Sequence, residues 1–170
     1  EEGLWSLAEI VNGETKALTA SDFSGKTVKL TCDIDLKNKP WTPIGEFYGT
    51  FDGNEKTIKN LNVTAVKQAA LFASVHGDIE NLKIDGASIN AKGRSAAIVG
   101  YLYGNVRNCE VNNAEITLSV SENDGEYDDG DKAGALVGYI AESGKGYEIS
   151  GNRASNITIT GYRDLGGLVG

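Results

Sequence analysis

The sequence predicts an all-β fold of short stacked strands, a parallel solenoid, behind a short N-terminal helix. Three observations carry this. Glycine makes up 22 of 170 residues, while proline appears only twice. That is about 13% glycine against a usual ~7%, without the proline of collagen or of disordered tracts. A small-small-apolar-apolar-small unit recurs as Ala69–Ala73, Ala96–Gly100, Gly134–Gly138 and Gly166–Gly170. A second unit runs in phase with it: Ile58–Val63, Ile79–Ile84 and Val106–Val111, each with asparagine third.

The elements follow in chain order. Leu4, Leu7, Ala8 and Val11 lie at helical spacing and stop at Asn12-Gly13. Residues 1–22 are therefore expected to cap the first coil, whose open edge would otherwise invite aggregation. Val28 to Leu36 alternates strictly, placing Val28, Leu30, Cys32, Ile34 and Leu36 on one inward face. Cys109 fills the slot that the unit alignment gives to Leu61 and Leu82, so both cysteines read as buried and free.

Residues 23–170 form the repeats. Taken at Ala70, Ala97, Ala135 and Gly167, the spacings are 27, 38 and 32 residues. The middle one returns to 27 once the 11-residue acidic stretch 121–131 is treated as an insertion. Strands this short cannot bury their own faces. Stacked one turn apart at ~4.8 Å, they bury a continuous apolar column. Gly and Asn supply the positive φ that the corners require. A 27-residue period is too short for a propeller blade of four strands.

Net charge is −8, and six of the 24 acids lie within residues 121–131. Outside that stretch 18 acids face 16 bases. This balance speaks against nucleic acid and anionic lipid as partners. No apolar run approaches the roughly 18 residues that a membrane-spanning helix needs. The missing methionine fits a piece of a longer protein.

An ordered series then becomes visible. Phe23 to Leu30 leads into Asp33-Ile34-Asp35-Leu36, Trp41-Thr42-Pro43-Ile44-Gly45 and Gly49-Thr50-Phe51-Asp52-Gly53-Asn54, and the Gly-Leu-Val-Gly units follow. This series resembles the GLUG-motif repeat proteins of bacteria over nearly the whole chain, least at 120–160. The copy at 69–73 lacks the glycines. The resemblance implies a right-handed parallel β-helix (a solenoid) with a short N-terminal capping helix. It also implies an extracellular or cell-surface location and a structural or adhesin role beside other modules. It brings no catalytic residues.

β-Helices also host polysaccharide-degrading enzymes, so catalytic patterns need a test of their own. Of the polygalacturonase-like motifs only Asp128-Asp129 is matched, and the Arg-centred motif of pectate-lyase-like enzymes is missing. Two adjacent acids in a polar loop are no acid–base pair. The chain therefore reads as a non-enzyme. His76, the single histidine, sits in Val75-His76-Gly77-Asp78 and reads as a solvated turn residue.

Two candidate sites remain. Asp124, Glu126, Asp128, Asp129 and Asp131 offer the oxygen ligands calcium takes, though not at EF-hand spacing. The competing reading is a solvated, self-repelling loop. Tyr101 and Tyr139 each follow a repeat glycine one turn apart, and Tyr103 shares the face of Tyr101. They read either as a glycan platform or as an aromatic ladder stiffening the wall.

The function expected is a non-catalytic structural or adhesion module of a bacterial secreted or cell-surface protein. An accessory carbohydrate-binding module is the first alternative, and a fragment of a polysaccharide-degrading enzyme the second. Expected partners are a surface protein or a glycan of a host or neighbouring cell. End-to-end contacts through an uncapped C-terminal coil are also expected.

Overall fold

A computed structural model describes residues 1–14, 21–64, 68–119, 132–141, 146–161 and 164–170. One helix, α1 (Glu2–Asn12), precedes the strands and ends at Gly13, which takes a φ of 69°. The strands follow as repeated circuits. The first holds β1 (Thr27–Lys29), β2 (Ile34–Asp35) and β3 (Ile44–Phe47). The second holds β4 (Thr50–Asp52), β5 (Thr57–Thr64), β6 (Gln68–Ala69) and β7 (Phe72–Val75). The third holds β8 (Asp78–Glu80), β9 (Lys83–Ala91), β10 (Arg94–Ser95) and β11 (Val99–Leu102). The fourth holds β12 (Asn105–Arg107), β13 (Glu110–Leu118), β14 (Ala133–Gly134) and β15 (Val137–Ile140). The last holds β16 (Ile149–Ser150), β17 (Arg153–Thr160) and β18 (Leu165–Gly166).

Every strand pairs in parallel with its counterpart one circuit away, which builds four sheets. The orders are β1-β4-β8-β12-β16, β2-β5-β9-β13-β17, β6-β10-β14-β18 and β3-β7-β11-β15. They are called the first to fourth sheets here, in the order the chain visits them. Among the described residues the fold is thus all-β apart from α1, with parallel sheets throughout.

Register makes like lie on like. Phe51, Ile79 and Val106 form one fully buried column, and Ile58, Ile84 and Val111 another. Burying each such side chain stabilises by about 1.5–3 kcal/mol. At the N-terminal end Phe72 packs against both Phe47 and Phe51, at 5.3 and 5.1 Å between ring centres. Helix α1 lies over this end with Leu4, Leu7 and Ala8 buried. Its last residue fastens it: Asn12 Nδ2 donates to the Pro43 carbonyl, and its Oδ1 accepts from Gly45 N–H at 2.7 Å. Trp5 packs on Trp41, whose Nε1 donates to the Leu71 carbonyl.

Left-handed residues bend the chain at two places, inside the second-sheet strands and between the first two sheets. Asn60, Gly86, Asn113 and Asn156 occupy one column with φ of 56°, 77°, 55° and 53°. Asn81, Asn108 and Gly151 form a second such column. Asparagine tolerates this conformation and its amide bridges circuits. Asn113 Nδ2 donates to Asp85 at 2.7 Å, and Asn156 Nδ2 to Asn113 Oδ1 at 3.1 Å.

Two sequence expectations are corrected here. The unit at Ile58–Val63 is not the structural partner of Ile79–Ile84. Ile58 aligns with Ile84, and Phe51 aligns with Ile79. The two stretches look alike because each carries a left-handed asparagine followed by an inward leucine, at different corners. Leu61 therefore stacks on Ala87, while Leu82 is the counterpart of Cys109. The strand foreseen over Val28 to Leu36 is broken between β1 and β2. Leu30, Ile34 and Leu36 stay buried, but Cys32 sits in the bend and is exposed. Alternation cannot survive a corner, where the backbone changes direction and the phase resets.

Candidate functional site

The most distinctive surface arises where the fourth sheet hands over to the first. An inward residue, then an aromatic ring, then glycine recurs as Phe47-Tyr48-Gly49, Val75-His76-Gly77 and Leu102-Tyr103-Gly104. Phe47, Val75 and Leu102 are in register, so the three rings fall in one column. The glycines make this possible by close approach. A Cβ on Gly77 would lie 2.0 Å from the Gly49 carbonyl oxygen, and one on Gly104 1.8 Å from that of Gly77. Only a residue without Cβ lets the three turns nest.

The rings stack. His76 lies between Tyr48 (4.1 Å between ring centres, 4° between planes) and Tyr103 (4.3 Å, 5°). Its Nε2 meets Glu46 Oε2 at 2.5 Å. The solvated turn histidine expected from the sequence is instead a half-buried member of an aromatic column. The signal was the aromatic-glycine dipeptide at spacings of 28 and 27 residues.

A second rank runs beside it. Glu46, Ser74, Tyr101 and Tyr139 share one register position on the outer face of the fourth sheet. Tyr101 stacks on Tyr103 at 4.6 Å and meets Tyr139 edge-on at 5.0 Å. All three tyrosines singled out in the sequence thus touch within one cluster. Burial against its neighbours, with Tyr101 and Glu46 close by, pushes the Tyr103 hydroxyl up to about 12.

Cations border the rings from the third sheet. The Arg94 guanidinium sits 4.6 Å from the Tyr101 ring centre and 5.0 Å from that of Tyr139. Lys132 Nζ lies 5.4 Å from the Tyr139 ring centre and pairs with Asp164 at 2.9 Å. Arg94 Nε is buried and has no hydrogen-bond partner among the described residues.

Chemically, the inner rings of this cluster present edges and hydroxyls rather than open faces. Both faces of His76 are covered, and Tyr101 is flanked by Tyr103 and Arg94. The stack therefore ties successive circuits together from the first to the fourth, and each such pair adds about 0.5–1.5 kcal/mol beyond its burial.

Other concave surfaces are less equipped. A shallow groove of about 340 Å³ follows the asparagine corner past Asn60, Gly86, Asn113 and Glu115. A cleft of about 280 Å³ lies between α1 and the first circuit, lined by Leu4, Leu7, Leu30 and Cys32. Among the described residues no three His, Cys, Asp or Glu side chains converge as a metal set. The calcium candidates Asp124, Glu126, Asp128, Asp129 and Asp131 lie outside the described residues.

No protein-family model matches the chain, and no solved structure matches it. Among curated proteins, a stretch of Halomucin from Haloquadratum walsbyi is 32% identical over 106 residues. The match covers 60% of this chain and about 1% of the length of that protein.

Proposed function

We propose that the chain is a right-handed parallel β-helix of GLUG-type repeats and acts as a non-catalytic structural and adhesion module of a secreted or cell-surface protein. The observation that carries this reading is the unbroken register of the circuits. Each sheet repeats the same inward and outward positions, which is how solenoids build long regular surfaces for spacing and contact. Polar side chains bridge circuits on the outside, as Asn81 and Arg107 do through Asp52 and Asp78. That suits a rod more than a cleft. The likeness to a stretch of a protein named as a mucin supports an extracellular setting.

Antibody labelling of intact source cells tests the location. Labelling without permeabilisation is expected; labelling only after permeabilisation would sink the surface reading. A carbohydrate-binding role is the second reading, favoured by the gathering of Tyr48, His76, Tyr101, Tyr103 and Tyr139 on one face.

A further inference from the structure

We propose that Arg94, Tyr101 and Tyr139, continued by Tyr103, bind an anionic saccharide chain of low charge density, lying along the stacking direction of the circuits. This names the ligand class for the adhesion reading and rests on that reading only for the extracellular setting.

The charge pattern carries the argument. Arg94 is a cation on a chain of net charge −8. Among the described residues it makes ring contacts but no ion pair. A guanidinium has five N–H donors and no acceptor. Ring faces attract its charge but accept few of those donors. Its outer N–H groups are thus unspent, in a planar fork suited to a carboxylate or sulfate. The other arginine of the outer wall that is half-buried, Arg107, is by contrast spent on Asp78, Glu80 and Glu148.

The neighbours supply the rest of a sugar site. Tyr101, Tyr103 and Tyr139 bring hydroxyls that donate and accept, on a rigid platform with little rotamer freedom left to lose. The ranks repeat at the circuit spacing of ~4.8 Å, so a chain along the stack meets like groups in succession. Face-on ring stacking is unavailable, so hydroxyl and charge contacts must dominate. Selectivity follows from sequence. The chain carries a net charge of −8. It repels a densely charged polyanion strongly, and isolated carboxylates between neutral sugars far less.

Native gel electrophoresis with polymer cast in the gel tests this at neutral pH and low salt. Hyaluronan carries one carboxylate per disaccharide, heparin is densely sulfated, and dextran is neutral. Retardation by hyaluronan, less by heparin and none by dextran is expected, with Arg94→Gln raising the apparent Kd at least tenfold. Equal retardation by dextran, stronger retardation by heparin, or an unchanged Arg94→Gln protein would overturn the site. If that variant does not fold, amide NMR of the unsubstituted protein decides. Hyaluronan should shift Arg94, Tyr101 and Tyr139; shifts confined to the second sheet, or none, would overturn it. Surface labelling with no retardation would remove this site alone, and retardation without surface labelling would remove the extracellular setting alone.

Discussion

Cys109 and Cys32 show how one residue type takes opposite roles by position. Cys109 is buried, its thiol donates to the Arg107 carbonyl at 3.3 Å, and burial pushes its pKa up to about 12. A thiol held that high has almost no reactive thiolate at neutral pH. Cys32 is exposed at the first bend. Native protein should therefore release one equivalent of chromophore with a disulfide reagent, and two in denaturant; two in the native state would show that Cys109 is accessible. A pH effect belongs at this scale as well. Asp52 accepts from Asn54 N–H, Asn81 Nδ2 and Lys29 Nζ, and the bond to Lys29 is the main cause that lowers its pKa below the ordinary aspartate value. A lowered folded pKa adds stability above the unfolded value of about 3.9, and that stability is lost as pH falls through the folded value. Asp52→Asn should cost about 1 kcal/mol at neutral pH. Denaturant melts across the pH range should show that cost shrinking below about pH 4. A cost independent of pH would mean that charge plays no part.

Elements stack here because small residues let backbones nest, and Gly77 is the sharpest case. Its added Cβ would fall 2.0 Å from the Gly49 carbonyl oxygen, a backbone atom that cannot swing aside. Gly77→Ala should cost about 1–3 kcal/mol through displaced backbone. It should also separate the stacked rings on either side, visible as altered near-ultraviolet circular dichroism. A neutral substitution with an unchanged spectrum would show that the turn has room. The same elements explain what could be read beforehand. The Gly-Leu-Val-Gly units were legible because one strand, with its inward pair, recurs in the fourth sheet: Phe72, Val99 and Val137 are true partners. Pairing of Tyr101 with Tyr139 was legible for that reason too. The asparagine units misled because local conformation, not sheet position, made them alike. The histidine stack was hidden because its three rings are of two residue types, and no periodicity of hydropathy marks them. Arg94 was missed since its meaning comes from the third sheet lying beside the fourth, a neighbour relation that no local window contains.

Across the whole molecule, each circuit touches only the one before and the one after, so stability should be a sum of circuit and interface contributions rather than one shared core. The second sheet offers a controlled comparison. Ile89 and Ile159 occupy the same column, between Val63 and Ile116 in the first case and beyond Ile116 in the second. Ile89 is 1% exposed with a strand on each side, while Ile159 is partly exposed on β17, which among the described residues pairs with β13 alone. Truncation of a fully enclosed isoleucine to alanine costs about 2–5 kcal/mol. In the 170-residue chain, Ile89→Ala should fall in that range and Ile159→Ala should cost less than half as much. The chemistry deleted is the same, so the difference measures the neighbouring circuit. Hydrogen exchange supplies the independent reading. Amides of β9 and β13 should exchange only through global opening, and those of β17 and β18 through local fraying, roughly a hundredfold or more faster. Equal losses for the two isoleucines, together with uniform exchange, would mean that the circuits unfold as one cooperative body and that the additive picture is wrong.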